Sequence, residues 1–346
     1  MATATIERQR SRRTVGEFGG NGAPGSAGRH AAAILEARAE RATALGTELG
    51  ALVQDAEALV RAFHASFQEL ADPEYRIGQQ RVAPGIGLTF GVRLPLQAGV
   101  RRAFTKATRT DSPALLLLAA DRLLHELECE AHWFALSILE RTIAAEPERS
   151  WQLLRRVAAS ASDWITVDTL AHPVGKGILR EPRRWPELEQ LTISPSRWER
   201  RLVGSTIATL PFVDHRAGRA PEIAARALPV LATLIGDREP DVQKALSWAY
   251  RSMLMVDCAA TVRALQVEAT RAAETDDGHR AWVVRDVLPK VDPDVAGPIR
   301  MALAGIRRRP GAPSTSSAAE LAGRFAGPRP NDARATADMT TSRTTR

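Results

Sequence analysis

The chain reads as an all-α protein, an α-solenoid of stacked helical hairpins with a concave basic groove. Three observations predict this. Ala, Leu and Arg dominate its 346 residues and long β-branched runs are missing, a composition that favours helix. No segment alternates apolar and polar residues between hairpin signals. The tryptophans fall at a loose period: Trp164, Trp198, Trp248 and Trp282 stand 34, 50 and 34 residues apart. Those steps scatter around the ~40–47-residue period of helix-pair repeats.

The elements follow in order. Residues 1–27 read as a basic tail, where Arg8, Arg10, Arg12 and Arg13 give way to a Gly-rich stretch through Gly25. Such a segment buries too little apolar surface to offset its ordering entropy. Residues 28–47 carry helical charge spacing, and 48–71 continue with Leu49, Leu52, Val53, Leu59, Val60 and Phe63. A connector runs through Pro73, Gly78, Pro84, Gly85 and Gly87 to Phe90-Gly91-Val92-Arg93-Leu94-Pro95. Helices are expected over 96–109, 112–127, 130–145, 149–160, 163–171, 184–191, 195–210, 220–236, 239–255, 258–273, 279–289 and 293–306. Pro113, Pro147, Pro173, Pro195, Pro221, Pro240 and Pro293 mark breaks between them. Residues 310–346, rich in Pro, Ser, Thr, Gly and Arg, read as a second disordered tail. One helical domain, 28–309, therefore lies between two tails. Short loops make its neighbouring helices antiparallel, a HEAT-like stack whose curvature offers a concave face.

The formal net charge of +7 points to a polyanionic partner. An Arg-rich, Ala-rich composition also follows from a GC-rich genome, so bulk charge alone does not decide. Two cysteines, Cys129 and Cys258, are too few for a disulfide framework and fit a reducing cytoplasm. The longest apolar run, Ala114 to Ala120, is too short to span a bilayer. Arg12-Arg13 is followed by Gly, Pro and Ser where an export signal needs an apolar stretch.

Aromatic, cationic and acidic residues recur together. Trp164 and Asp168 stand four apart on one helix face. A carboxylate among cations keeps its charge and suits a developing positive charge nearby; the ordinary alternative is an interhelical salt bridge. In Ser194-Pro195-Ser196-Arg197-Trp198-Glu199-Arg200-Arg201, Arg197 and Arg201 share a face beside Trp198 and are placed to fork onto phosphates. The alternative is an exposed basic helix with Trp198 in the hairpin core. Along residues 241–251, Lys244, Trp248 and Arg251 form a cation–aromatic–cation stripe able to follow a sugar-phosphate backbone, or else a Trp anchor with solvated neighbours. His125, Cys129 and His132 fall on one face if 125–132 is one helix, but i to i+7 spans about 10.5 Å, too far for both histidines to reach one ion, and helix packing is preferred over a metal site. No phosphate-binding Gly loop and no Cys-x-x-Cys is present. No metal and no cofactor is expected.

Taken together, Phe90–Pro95, Glu128–His132, Ser162–Asp168, Trp198–Arg201 and Asp241–Arg251 resemble the AlkD-type family of DNA alkylation repair glycosylases, which are HEAT-like solenoids. The resemblance covers roughly residues 75–290. It implies that Asp168 is the catalytic carboxylate, that Trp164 and Trp248 face DNA and that Arg201 contacts it. It further implies removal of cationic N3- and N7-alkylated purines from duplex DNA without extruding the lesion. The chain departs from the pattern where Asp163 stands in place of a second aromatic. No Tyr or Trp precedes Phe90 at the family's position, Val82 falling nearer than Tyr75. The expected activity is thus that of a glycosylase on 3-methyladenine- and 7-methylguanine-type lesions, by a cytoplasmic, nucleoid-associated monomer. Arg197, Lys244 and Arg251 are expected as further DNA contacts. A non-catalytic HEAT-like protein that recognises damaged or branched DNA, and a scaffold for an acidic protein partner, are the alternatives.

Overall fold

The computed structural model describes residues 26–311 and 313–325; the rest of the two expected tails lies outside the described residues. Among the described residues every regular element is helical. The α-helices are α1 (Ser26–Ala51), α2 (Ala56–Leu70), α3 (Pro73–Val82), α4 (Leu94–Ala107), α5 (Pro113–Leu123), α6 (Cys129–Thr142), α7 (Pro147–Ser160) and α8 (Trp164–Arg180). They continue as α9 (Trp185–Gln190), α10 (Arg197–Val213), α11 (Pro221–Leu234), α12 (Pro240–Met253), α13 (Cys258–Thr275), α14 (Gly278–Val287), α15 (Pro293–Ala302) and α16 (Ser317–Phe325). Among the described residues there is one isolated parallel bridge, between Leu88 and Glu128.

Local chemistry sets the starts. Asp55, Asp72, Ser112, Asp163, Asp257, Asp277 and Asp292 each accept amides of the following first turn. Pro73, Pro113, Pro147, Pro221, Pro240 and Pro293 open their helices, where the missing N–H is no loss.

Three elements differ from expectation. The connector from Pro73 contains α3, because the Asp72 cap and Pro73 outweigh Gly78. Helix α8 does not stop before Pro173 but runs through it to Arg180. The proline removes one hydrogen bond, while Leu170, Ala171, Val174 and Ile178 continue a buried apolar face. Residues 317–325, placed by composition in the C-terminal tail, form α16, whose Ala318 and Ala322 are buried. The strap leading to it is tied down at Thr315, which donates to Asp277 at 2.6 Å and accepts from the buried Arg280 at 2.9 Å.

The helices stack in two layers. α6, α8, α10, α12 and α14 follow one another as neighbours, and α5, α7, α11, α13 and α15 pack behind them. One apolar core runs from Ala42 in α1 to Ala318 in α16. Residues Ala83, Ile86, Cys129 and Trp133 form a smaller satellite against which Trp164 and Ile165 pack. No helix among the described residues is long and apolar enough to cross a membrane.

Candidate active site

Helix α8 begins at Trp164 because Asp163 caps it. The buried Asp163 carboxylate accepts the Ile165 and Thr166 amides at 2.8 and 2.9 Å. Burial pushes this carboxyl above the usual Asp range, against the lowering effect of those bonds. The same end of α8 is stapled to residues 82–86: Trp164 Nε1 donates to the Val82 carbonyl at 3.2 Å and Ser162 Oγ to the Gly85 carbonyl at 3.2 Å. Trp164 is thereby held half-buried. The residue without an aromatic side chain before Phe90, Val82, thus meets Trp164 through its backbone.

One turn on, Asp168 faces α10. Arg201 of α10 forks onto it, Nε to Oδ1 at 3.1 Å and Nη2 to Oδ2 at 2.8 Å. The third guanidinium nitrogen, Nη1, donates to the Asp241 carbonyl of α12 at 2.6 Å. The Arg201 guanidinium also lies 6.0 Å from the Trp164 ring centroid, within cation–π range. Ser205, one turn beyond Arg201, donates to Asp168 Oδ1 at 2.6 Å. This three-helix junction depends on Gly204, where a Cβ would stand 2.9 Å from Ala245 of α12. Arg201 and Asp168 side chains are 6% and 22% exposed. The guanidinium expected on a phosphate is therefore committed to the carboxylate, and all its nitrogens are used within the protein.

The other residues singled out in the sequence lie further along. Arg197 is exposed, stacks 4.7 Å from the Trp198 ring centroid and stands 3.6 Å from Glu239; Trp198 packs partly into the core, as in the ordinary reading of that helix. On α12, Lys244 is exposed and no carboxylate among the described residues pairs with it. Trp248 is half-buried against the core. Arg251 is not a free end of the stripe: it pairs with Asp286 of α14, which also accepts Ser247 Oγ at 2.8 Å.

Two of the quoted motifs form one joint. Glu130, fully buried at the start of α6, accepts the amides of Phe90, Gly91 and Val92 at 3.1, 2.9 and 3.3 Å. Gly91 takes a φ of 81°, which a residue with a side chain rarely adopts. Burial pushes the Glu130 carboxyl up despite the three donors. The segment 125–132 is not one helix, since α5 ends at Leu123 and α6 starts at Cys129. His125 and His132 bond the carbonyls of Asp121 and Glu126 at 2.7 and 2.8 Å, and burial pushes the Cys129 thiol up to about 12. A different trio, His64, Glu126 and Glu128, has ligand-type atoms within 4.8 Å of one another. Glu126 there already pairs with both His64 and Arg122.

Sequence reasoning missed Ser205, Glu130 and Asp286. Ser205 carried a signal, its spacing of four from Arg201. Glu130 lay inside a quoted motif without a role of its own, and Asp286 carried no signal, because their partners come from loops and helices distant in sequence.

A carboxylate held by a guanidinium and a hydroxyl beside an indole face is suited to stabilising a cation. The sequence model described as DNA alkylation repair enzyme matches residues 63–276 of the chain. None of the curated proteins compared with it matches.

Proposed function

Because the chain belongs to the DNA alkylation repair enzyme family, we propose that it is a DNA glycosylase. Its reaction is hydrolysis of the N-glycosidic bond of cationic alkylated purines, of the 3-methyladenine and 7-methylguanine type, in duplex DNA. A cationic purine already carries its leaving-group activation, so no strong general acid is required. The C1′–N bond breaks and the base leaves neutral. Water adds to C1′ and releases a proton, leaving an abasic site. The remaining barrier is positive charge on the deoxyribose. Asp168 faces that charge and positions the water, with the Trp164 ring adding cation–π attraction. The lesion stays stacked, which sets this reaction apart from extrusion into a pocket.

In this reading the inner layer α6–α14 forms a concave basic face along the duplex. Lys244 and Arg197 contact phosphates and Trp248 the sugar-phosphate chain, with Arg251 adding its partly exposed charge from within its pair with Asp286, while Arg201 holds Asp168 where a strand would pass. The protein works as a monomer beside the nucleoid and needs no cofactor. The observation that carries the reading is the Asp168–Arg201–Ser205 junction beneath Trp164, inside the family-matching region.

One observation favours a second reading. The Asp168 carboxylate is bridged like a structural ion pair, as in a non-catalytic protein that only binds damaged DNA. Release of 7-methylguanine or 3-methyladenine from methylated duplex DNA separates the two. Wild type is expected to release base and Asp168→Asn to lose release by orders of magnitude while still binding DNA. No release by wild type from any cationic purine leaves the binding reading.

A further inference from the structure

We infer that Ser205 is a positioning residue for Asp168, and that together with Arg201 it selects Oδ2 as the oxygen turned to the substrate. The inference rests on the glycosylase reading above. A carboxylate offers about four acceptor positions, two on each oxygen. In this junction Oδ1 accepts Arg201 Nε at 3.1 Å and Ser205 Oγ at 2.6 Å, so both of its positions are taken. Oδ2 accepts Arg201 Nη2 at 2.8 Å and keeps one position open. The hydroxyl breaks the symmetry of the fork. With Arg201 alone, each oxygen would accept one bond and keep one position open, and only the fork would fix the carboxylate plane. With Ser205 present, a third donor from the same helix face holds the plane.

Ser205, like Ser247, is one of the few helical hydroxyls whose bond leaves its own helix for a carboxylate. Helical hydroxyls here mostly bond back to their own helix, as Thr108 does to Phe104, Thr169 to Ile165, Ser160 to Arg156 and Thr270 to Gln266. Ser205 is fully buried, yet its hydroxyl crosses to α8. A buried hydroxyl spent on a partly exposed carboxylate, rather than on the nearest carbonyl, fixes that carboxylate's direction. Asp168 keeps 22% of its side chain exposed, so the carboxylate is not sealed from a substrate.

The test is single-turnover base release from methylated duplex DNA by the full chain, with DNA affinity and thermal unfolding measured alongside. Four proteins are compared: wild type, Ser205→Ala, Asp168→Asn and the double variant. A hydrogen bond to a charged group sets the expected size. Ser205→Ala is expected to slow release about 10- to 100-fold with unchanged affinity. In the Asp168→Asn background the same substitution is expected to change nothing further, because it acts through the carboxylate. Release by Ser205→Ala equal to wild type overturns the inference, as does a loss confined to affinity. An equal fractional loss in both backgrounds overturns it too, since a general packing defect would act in either. Wild type that releases no base overturns the glycosylase reading, and this inference with it.

Discussion

The molecule builds one residue set twice. At the first station, Arg201 and Ser205, four apart on α10, meet Asp168 of α8; at the second, Ser247 and Arg251, four apart on α12, meet Asp286 of α14. Their surroundings differ. Arg201 and Asp168 are 6% and 22% exposed, against 30% and 42% for Arg251 and Asp286. The first guanidinium is also tied to the Asp241 carbonyl and lies under Trp164, whereas Ser247 divides its hydroxyl between Asp286 and its own helix at Lys244. The same three side chains thus make a rigid, half-dry carboxylate in one place and a solvated surface pair in the other. Burial and the neighbouring ring, not the residue types, separate them.

The largest test of that contrast is the paired amide substitution. Asp168→Asn is expected to reduce base release by more than about 100-fold, in the range seen when a charge-stabilising group is removed. Asp286→Asn is expected to stay within about threefold of wild type in the same assay. Equal effects would erase the distinction between the stations.

Stability sharpens it next. Arg201→Ala leaves Asp168 with Ser205 as its remaining donor and should lower unfolding free energy by up to about 3 kcal/mol, as when a buried pair loses one partner. Arg251→Ala should cost less than about 1 kcal/mol, the value of an exposed pair. Urea unfolding of both variants reads the difference.

The wall behind Trp164 gives a third probe. Glu130→Gln replaces an acceptor of three amides by a group with a single acceptor oxygen, at a cost of about 1–3 kcal/mol. The pH dependence has a definite sign. Burial raises the folded-state pKa of Glu130 above its usual 4.5, so its contribution is full below the unfolded value and declines as pH rises through the folded one. The advantage of wild type over Glu130→Gln should therefore be greatest in acid and narrow toward neutrality; a widening gap would contradict this account.

The smallest effects fall on α12, beside the second station. Trp248→Ala should weaken DNA binding by about 1–3 kcal/mol, the worth of one aromatic stacking contact, with cooperative unfolding retained. Loss of the folded state would instead make Trp248 a core anchor. Lys244→Ala should reduce the slope of log affinity against log salt by about 1, with little change in base preference.

Much of the fold was legible because it is local. Aspartate and serine caps, N1 prolines and apolar spacing marked most helices. The failures have physical causes: Gly78 and Pro173 were weighed as breakers, but a strong Asp72 cap and a continuing buried face outvoted them. At the candidate site, Trp164 and Asp168 were legible through their spacing of four. Arg197 and Arg201 looked alike in sequence and are not alike in space: one lies exposed over Trp198, the other is buried in a three-helix junction. Arg251 looked free and is paired.

By itself the sequence determined the helical class, the family motifs and the pairing of tryptophan with aspartate on α8, since helix periodicity and capping act within a few residues. Only the tertiary structure decided which carboxylate is enclosed, which arginine holds it and which oxygen stays open. Those depend on helices meeting across 33 to 40 residues of chain at the Gly204 contact, and burial there is a property of the stack, not of any segment.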